Sequence, residues 1–408
     1  MTRNIALTSV SDARAGSLPQ NDLCNLYREH RWFLLRDAIG DNSPWFYRGA
    51  VAGSFGQIDE CHRWLDPIIQ SMPDSRLAYD CHNLLSWAYI REGKFRSAVP
   101  HIIAMCVGRA QNRALQRHLE LFTSLSRLPE QAVLQRRPES LRYSMVEGNM
   151  FVPACVNGVE AHLMVDTGAT LCFVTATEAA RLGLAVCELS EGMMEVYGAT
   201  GSCAECRVGV AERMVVGGVV LSNVCCMIVN DCHWHFPPGY GGVLGLSALV
   251  AAQTLSWNRK GEFKLAFSPR QQAPEPENIC FDGAEPLAEV LYQKQKLDFV
   301  LDTGSGQTVL TANFAAKFSE ITLRARDSTS RLSGITGTAD VRNLTLPDLM
   351  FEMAETQIVL RPVHVLLAAT TPNSKYVFGR FGIDLLNQAE AVTLDFKRMR
   401  LVPDSQLC

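Results

Sequence analysis

The chain has 408 residues, 47 % of them hydrophobic and 20 % charged, with a formal net charge of −4. That balance excludes collagen-like, disordered and coiled-coil chains, and at roughly 100–200 residues per domain the length predicts two to four domains. Scattered charge of slightly acidic sum offers no basic surface, so neither nucleic acid nor an anionic membrane is expected as a partner. No stretch approaches the ~18 apolar residues of a membrane span, and the densest, 214–221, contains Gly217 and Gly218. Residues 1–16 lack the apolar core of a signal peptide, so a cytoplasmic location is expected, or a periplasmic or secreted one if the N-terminus was trimmed. Fourteen cysteines spread over such a length read as free thiols of a reducing compartment.

In chain order, residues 17 to about 137 carry helical periodicity with few β-branched runs, and 1–137 is expected to form an all-α domain. Large and small residues alternate at helix-packing spacing from Asn83 to Ala98, with Gly93 at a turn and Phe95 and Ala98 opening a second helix. Trp45, Gly49, Ala52, Gly56, Ile58 and Cys61 occupy corresponding places earlier, and the two turn glycines are 37 residues apart. This resembles a tetratricopeptide repeat, whose period is roughly 34, and implies a helical-hairpin array able to hold a protein partner. A plain helical bundle is the competing reading. Residues 138–267 and 279–408 turn to short Val, Ile, Leu and Thr runs broken by glycine, which predicts two all-β lobes. The polar segment 268–278, with three prolines, reads as the linker between them.

The chemistry sits in a repeated motif. Asp166-Thr167-Gly168 follows the apolar run Leu163-Met164-Val165, and Asp302-Thr303-Gly304 follows Phe299-Val300-Leu301. Each is followed by a second strand, 171–175 and 308–311. The two aspartates are 136 residues apart. At that offset Gly198, Thr200 and Gly201 fall on Gly334, Thr336 and Gly337. Gly242 and Gly245 meet Gly379 and Gly382 at 137, and Thr254 to Trp257 meet Thr393 to Phe396 at 139. Four landmarks in register over more than 80 residues read as an internal duplication.

An aspartate at a strand end, a glycine-rich hairpin some thirty residues later and an apolar-apolar-Gly segment resemble the retropepsin-like aspartic proteases. The resemblance covers 141–403 and leaves the helices outside it. Both lobes lie in one chain, as in pepsins. It implies an aspartic endopeptidase in which Asp166 and Asp302 activate a water that attacks a peptide or protein substrate, with no metal or organic cofactor. Two carboxylates held this close cannot both ionise, which leaves one as base and one as acid.

In the family the motif threonines bond across the lobe interface, a role that falls to Thr167 and Thr303. Gly168 and Gly304 let the loops turn beside the carboxylates, and Gly245 and Gly382 lie beneath them. The hairpins carrying Tyr197, Gly198, Thr200 and Gly201, and Gly334, Thr336 and Gly337, match flaps that close over substrate. Ser333 stands where the first flap has Tyr197. Ser305 follows the second motif where the first has Ala169, and a hydroxyl donated to Asp302 there predicts a mildly acidic to neutral optimum.

Two other readings stay open: a catalytically silent peptide-binding or scaffold protein, and lobes paired between two chains. Cys203, Cys206, Cys232, His233 and His235 can be read as metal ligands, as disulfide partners or as ordinary side chains.

Overall fold

Helical periodicity in the first third becomes seven α-helices among the described residues. They are α1 (Gln20–Arg28), α2 (Trp32–Ala38), α3 (Trp45–Ser54), α4 (Ile58–Ser71), α5 (Arg76–Arg91), α6 (Phe95–Cys106) and α7 (Arg113–Ser126). The structure, a computed structural model, describes residues 20–187, 194–197, 203–233, 236–269, 276–334, 337–354, 356–367 and 376–404.

Helices α3 and α4 form one hairpin and α5 and α6 another, turning at Gly56 (φ 72°) and Gly93 (φ 71°). These are the two turn glycines that the sequence spacing singles out. Ser75 caps α5 by accepting from the Ala78 N–H at 3.0 Å, and Asn112 caps α7 by accepting from Leu115 at 3.2 Å. Leu65 and Leu85 are fully buried in one apolar cluster, and Ile90, Ala98 and Ile102 in a second.

The span 1–137 is not helical to its end. Helix α7 ends at Ser126, shortly before Pro129. Beyond it the strand Ala132–Arg136 pairs antiparallel with Val219–Val229 of the first β lobe. The helical region is therefore stitched into that sheet by its own last strand.

Each β lobe repeats one strand order. In the first, Val219–Val229 runs parallel to Cys172–Thr175, which is antiparallel to Gly242–Leu244. Gly242–Leu244 is parallel to Val159–Val165, which is antiparallel to Asn149–Val156. In the second, Val363–Leu366, Val309–Leu310, Gly379–Phe381, Gln295–Leu301 and Glu285–Tyr292 follow with the same alternation. A five-stranded sheet joins the lobes: Glu139–Arg142, Glu262–Leu265, Thr254–Asn258, Ala391–Asp395 and Arg400–Asp404. Its centre pairs Leu255 with Leu394, residues that are equivalent at the 139-residue offset, so the lobes face each other about an approximate two-fold axis. Leu255, Trp257, Phe263, Leu394 and Leu401 are buried there.

Candidate active site

Parallel pairing places both aspartates. Val159–Val165 and Gln295–Leu301 are central strands whose last three residues, Leu163-Met164-Val165 and Phe299-Val300-Leu301, are buried and apolar. Each ends where its parallel neighbour ends. The Asp166 N–H donates to the Leu244 carbonyl at 3.2 Å, and the Asp302 N–H to Phe381 at 2.9 Å. The chain then turns, and the two Asp-Thr-Gly loops meet at the lobe interface.

The threonines lock that meeting reciprocally. Thr303 Oγ1 accepts from the Thr167 N–H, and Thr167 Oγ1 from the Thr303 N–H, each at 3.1 Å. Each hydroxyl also donates across the interface, Thr167 to the Leu301 carbonyl at 2.6 Å and Thr303 to the Val165 carbonyl at 2.8 Å. Both threonines have no exposed surface.

The carboxyls lie against the opposite loops. A Cβ on Gly168 would sit 2.6 Å from the Asp302 carboxyl, and one on Gly304 would be closer still to Asp166, so neither position tolerates a side chain. Asp166 Oδ1 accepts from the N–H groups of Gly168 (2.8 Å) and Ala169 (3.2 Å), and Asp302 Oδ1 from that of Gly304 (3.0 Å). Burial, then the Asp302 charge and the hydrogen bond shared with Asp302, push the Asp166 carboxyl well above the usual carboxylate range. Gly245 and Gly382 underlie the loops: a Cβ would strike the Leu171 carbonyl in one lobe and come 2.7 Å from the Ser305 carbonyl in the other.

Ser305 departs from its expected role. Its hydroxyl donates to the Gln307 carbonyl at 2.8 Å, satisfying a carbonyl of its own loop rather than the Asp302 carboxylate. The donor at that carboxylate is a residue that sequence reasoning passed over. Arg380 Nη1 donates to Asp302 Oδ2 at 2.6 Å, and its Nη2 to Glu285 Oε1 at 3.3 Å. A charged residue inside the apolar-apolar-Gly segment, where the first lobe has Val243, was the available signal.

The flap residues are only partly described. Met194–Tyr197 pairs with Cys203–Val216, Tyr197 opposite Cys203, while Gly198, Thr200 and Gly201 lie outside the described residues. In the second lobe Arg326–Gly334 pairs with Gly337–Leu346, Gly334 opposite Gly337. Thr336 also lies outside the described residues.

Cys203 and Cys232 are exposed and Cys206 is buried, and all thirteen described cysteines are free. No group of three His, Cys, Asp or Glu among the described residues could hold a metal ion; His235 is not one of them. No helix among the described residues is long and apolar enough to cross a membrane.

Comparison with known proteins fits this geometry. Residues 152–248 match the family model described as Aspartyl protease. No curated protein matches the chain. Among solved structures, a retropepsin-like aspartic protease from Rickettsia conorii covers 34 % of this chain and 96 % of its own, at 18 % identity and a TM-score of 0.24. An aspartic proteinase from Irpex lacteus covers 66 % and 98 %, at 12 % identity and a TM-score of 0.43. Basic 7S globulin from soybean covers 66 % and 96 %, at 10 % identity and a TM-score of 0.42. The family match in the first lobe and the repetition of its strand order in the second make the β-rich part of this chain a two-lobed aspartic protease fold.

Proposed function

We propose that the protein is an aspartic endopeptidase, its two lobes the products of an internal duplication, that hydrolyses peptide bonds with a water activated between Asp166 and Asp302. The observation that carries this reading is the close, reciprocal approach of two Asp-Thr-Gly loops, each glycine lying against the other lobe's carboxyl.

Asp166, pushed toward its protonated form, is the general acid. Asp302 is the general base. It takes a proton from the water as the oxygen attacks the scissile carbonyl carbon, while Asp166 donates its proton to the carbonyl oxygen. The resulting tetrahedral diol collapses as a proton passes to the leaving nitrogen and the C–N bond breaks. This scheme calls on no metal or organic cofactor.

The hairpins around Tyr197 and around residues 334–337 fit the role of flaps over the substrate. Helices α1–α7, read as tetratricopeptide-like, would recruit a protein partner or substrate. The thirteen described cysteines, all free, fit a reducing, cytoplasmic setting.

The test is cleavage of a peptide library by the full chain, by Asp166→Asn and Asp302→Asn, and in the presence of a pepstatin-type inhibitor. Cleavage lost in both variants and blocked by the inhibitor is the expected result. Cleavage indifferent to all three defeats the protease reading. A folded protein that binds peptides but cleaves none would instead be a silent binding module.

A further inference from the structure

The two halves of the site differ in charge. In the first lobe Met164 lies beside Val243 on neighbouring parallel strands; in the second Val300 lies beside Arg380. Met164 and Val300 stand two residues before their aspartates, and Val243 and Arg380 two residues before Gly245 and Gly382, so the four positions correspond. Val243 is buried and apolar, whereas its counterpart is a guanidinium.

Arg380 is held at both ends of its fork. Glu285, on the strand Glu285–Tyr292, takes Nη2 at 3.3 Å and leaves Nη1 for Asp302 Oδ2 at 2.6 Å. The other Asp302 oxygen accepts the Gly304 N–H. Asp302 thus has a defined donor on each oxygen, while the two backbone donors to Asp166 both fall on its Oδ1. The charged groups facing Arg380 are Asp302, Glu285 and, across the interface, Asp166. A guanidinium this enclosed is tolerated because carboxylates flank it, and removing one partner leaves an uncompensated charge.

The geometry points to Arg380 as a positioning residue: held by Glu285, it pins the second oxygen of Asp302, keeps the negative charge of the dyad on that carboxyl and leaves the shared proton on Asp166. This rests on the protease reading. It takes over the place in which Ser305 was expected, with a full charge instead of a hydroxyl dipole. A charge-assisted N–H···O⁻ bond is roughly twice as strong as a neutral one. Because the two carboxyls titrate as a pair, a cation beside one of them shifts both limbs of the pH profile toward acid.

The experiment uses the full chain with Arg380→Met, Arg380→Lys and Glu285→Gln. Arg380→Met is expected to lower kcat about 10²-fold, the scale of a misplaced catalytic group, while KM changes little. Both limbs of its pH profile should move up by about one unit, the scale of losing a unit charge a few ångströms away. Arg380→Lys should restore the pH profile but not all of kcat, since an ammonium cannot reproduce the fork. Glu285→Gln should fall between. A second measurement needs no turnover: carboxyl-selective ¹³C NMR of Asp166 should read protonated at the pH of maximal activity in the wild type. In Arg380→Met it should move midway toward the ionised signal.

Wild-type kcat, pH profile and Asp166 signal in a folded Arg380→Met overturn the inference, and so does a gain of activity, which would make Arg380 a block. If Arg380→Met does not fold, Arg380→Lys and Glu285→Gln carry the same readouts, and both matching the wild type overturns it. Cleavage that survives Asp302→Asn defeats the protease reading instead, while the NMR result still decides where the proton sits.

Discussion

Thr167 and Thr303 tie the two lobes together reciprocally. Each hydroxyl accepts one N–H and donates to one carbonyl of the opposite lobe, all four groups being out of reach of water. Thr303→Val keeps the shape but leaves the Thr167 N–H and the Val165 carbonyl unpaired. At about 1–3 kcal/mol for each orphaned group, we expect a loss of roughly 2–5 kcal/mol in urea unfolding, and a smaller loss for Thr303→Ser, which keeps the hydroxyl. A Thr303→Val protein as stable as the wild type would show that the lobes do not depend on this lock. The Asp166 proton makes a second residue-level prediction. Its carboxyl is held well above the usual range by burial and by Asp302. Activity needs it protonated, so kcat/KM should fall on the alkaline side as pH rises through that raised value. A profile that declines only on the acid side contradicts the role of Asp166 as acid. Both threonines were legible in the sequence because they are part of the repeated triplet. The direction of the Ser305 hydroxyl was not, because a rotamer choice between two nearby acceptors leaves no mark in sequence spacing.

The strand Gln295–Leu301 carries more than the active-site loop. Asp298 interrupts its apolar run and is 1 % exposed, with Oδ2 paired to Arg31 Nε at 2.8 Å and Oδ1 buried without a partner. Burial outweighs Arg31 and pushes the carboxyl up to about 6. A carboxyl raised in the folded state binds its proton more tightly there. It therefore favours folding below its unfolded value near 3.9 and loses that contribution as pH rises toward 6. The size is about 3 kcal/mol between pH 4 and 6. Asp298→Asn should abolish this part of the pH dependence in urea unfolding at pH 4.5 and 7. An unchanged slope would mean that Asp298 is not the group responsible. The sequence displays the aspartate in the strand but not its partner, 267 residues away in the connection before α2.

The helices are docked on the second lobe by several contacts of this kind. Arg91 at the end of α5 is 5 % exposed and donates to the Gly283 carbonyl at 2.8 Å and to Gly53 at 2.7 Å, with its guanidinium 4.5 Å from the Phe281 ring centroid. His30 bonds Asp282 at 2.8 Å and stacks on Tyr376 with centroids 3.9 Å apart, and Lys296 pairs with Asp37 at 2.7 Å. Together with the strand Ala132–Arg136 in the first lobe, these ties bind the helices to both lobes. Arg91→Met should leave the Gly283 carbonyl without its Arg91 donor and uncouple the units. We expect a loss of roughly 1–3 kcal/mol and helical ellipticity that melts ahead of the β-sheet amide signal in infrared spectra. Coincident, unshifted transitions would refute the coupling.

By itself the sequence determined the parts that depend on short-range order. Continuous apolar runs end at an aspartate because the strand ends are buried on both faces. Glycines recur at fixed offsets because a carboxyl or a carbonyl occupies the space of a side chain. The repeated triplets name both aspartates that meet at the lobe interface. Only the tertiary structure decided what the long side chains do at that centre: Arg380 on Asp302, Ser305 turned to Gln307, Arg31 on Asp298, and the helices held against the lobes by Arg91. Each of these is settled by which of several partners a flexible side chain meets once distant strands are packed, and that competition is resolved by geometry rather than by any period in the chain.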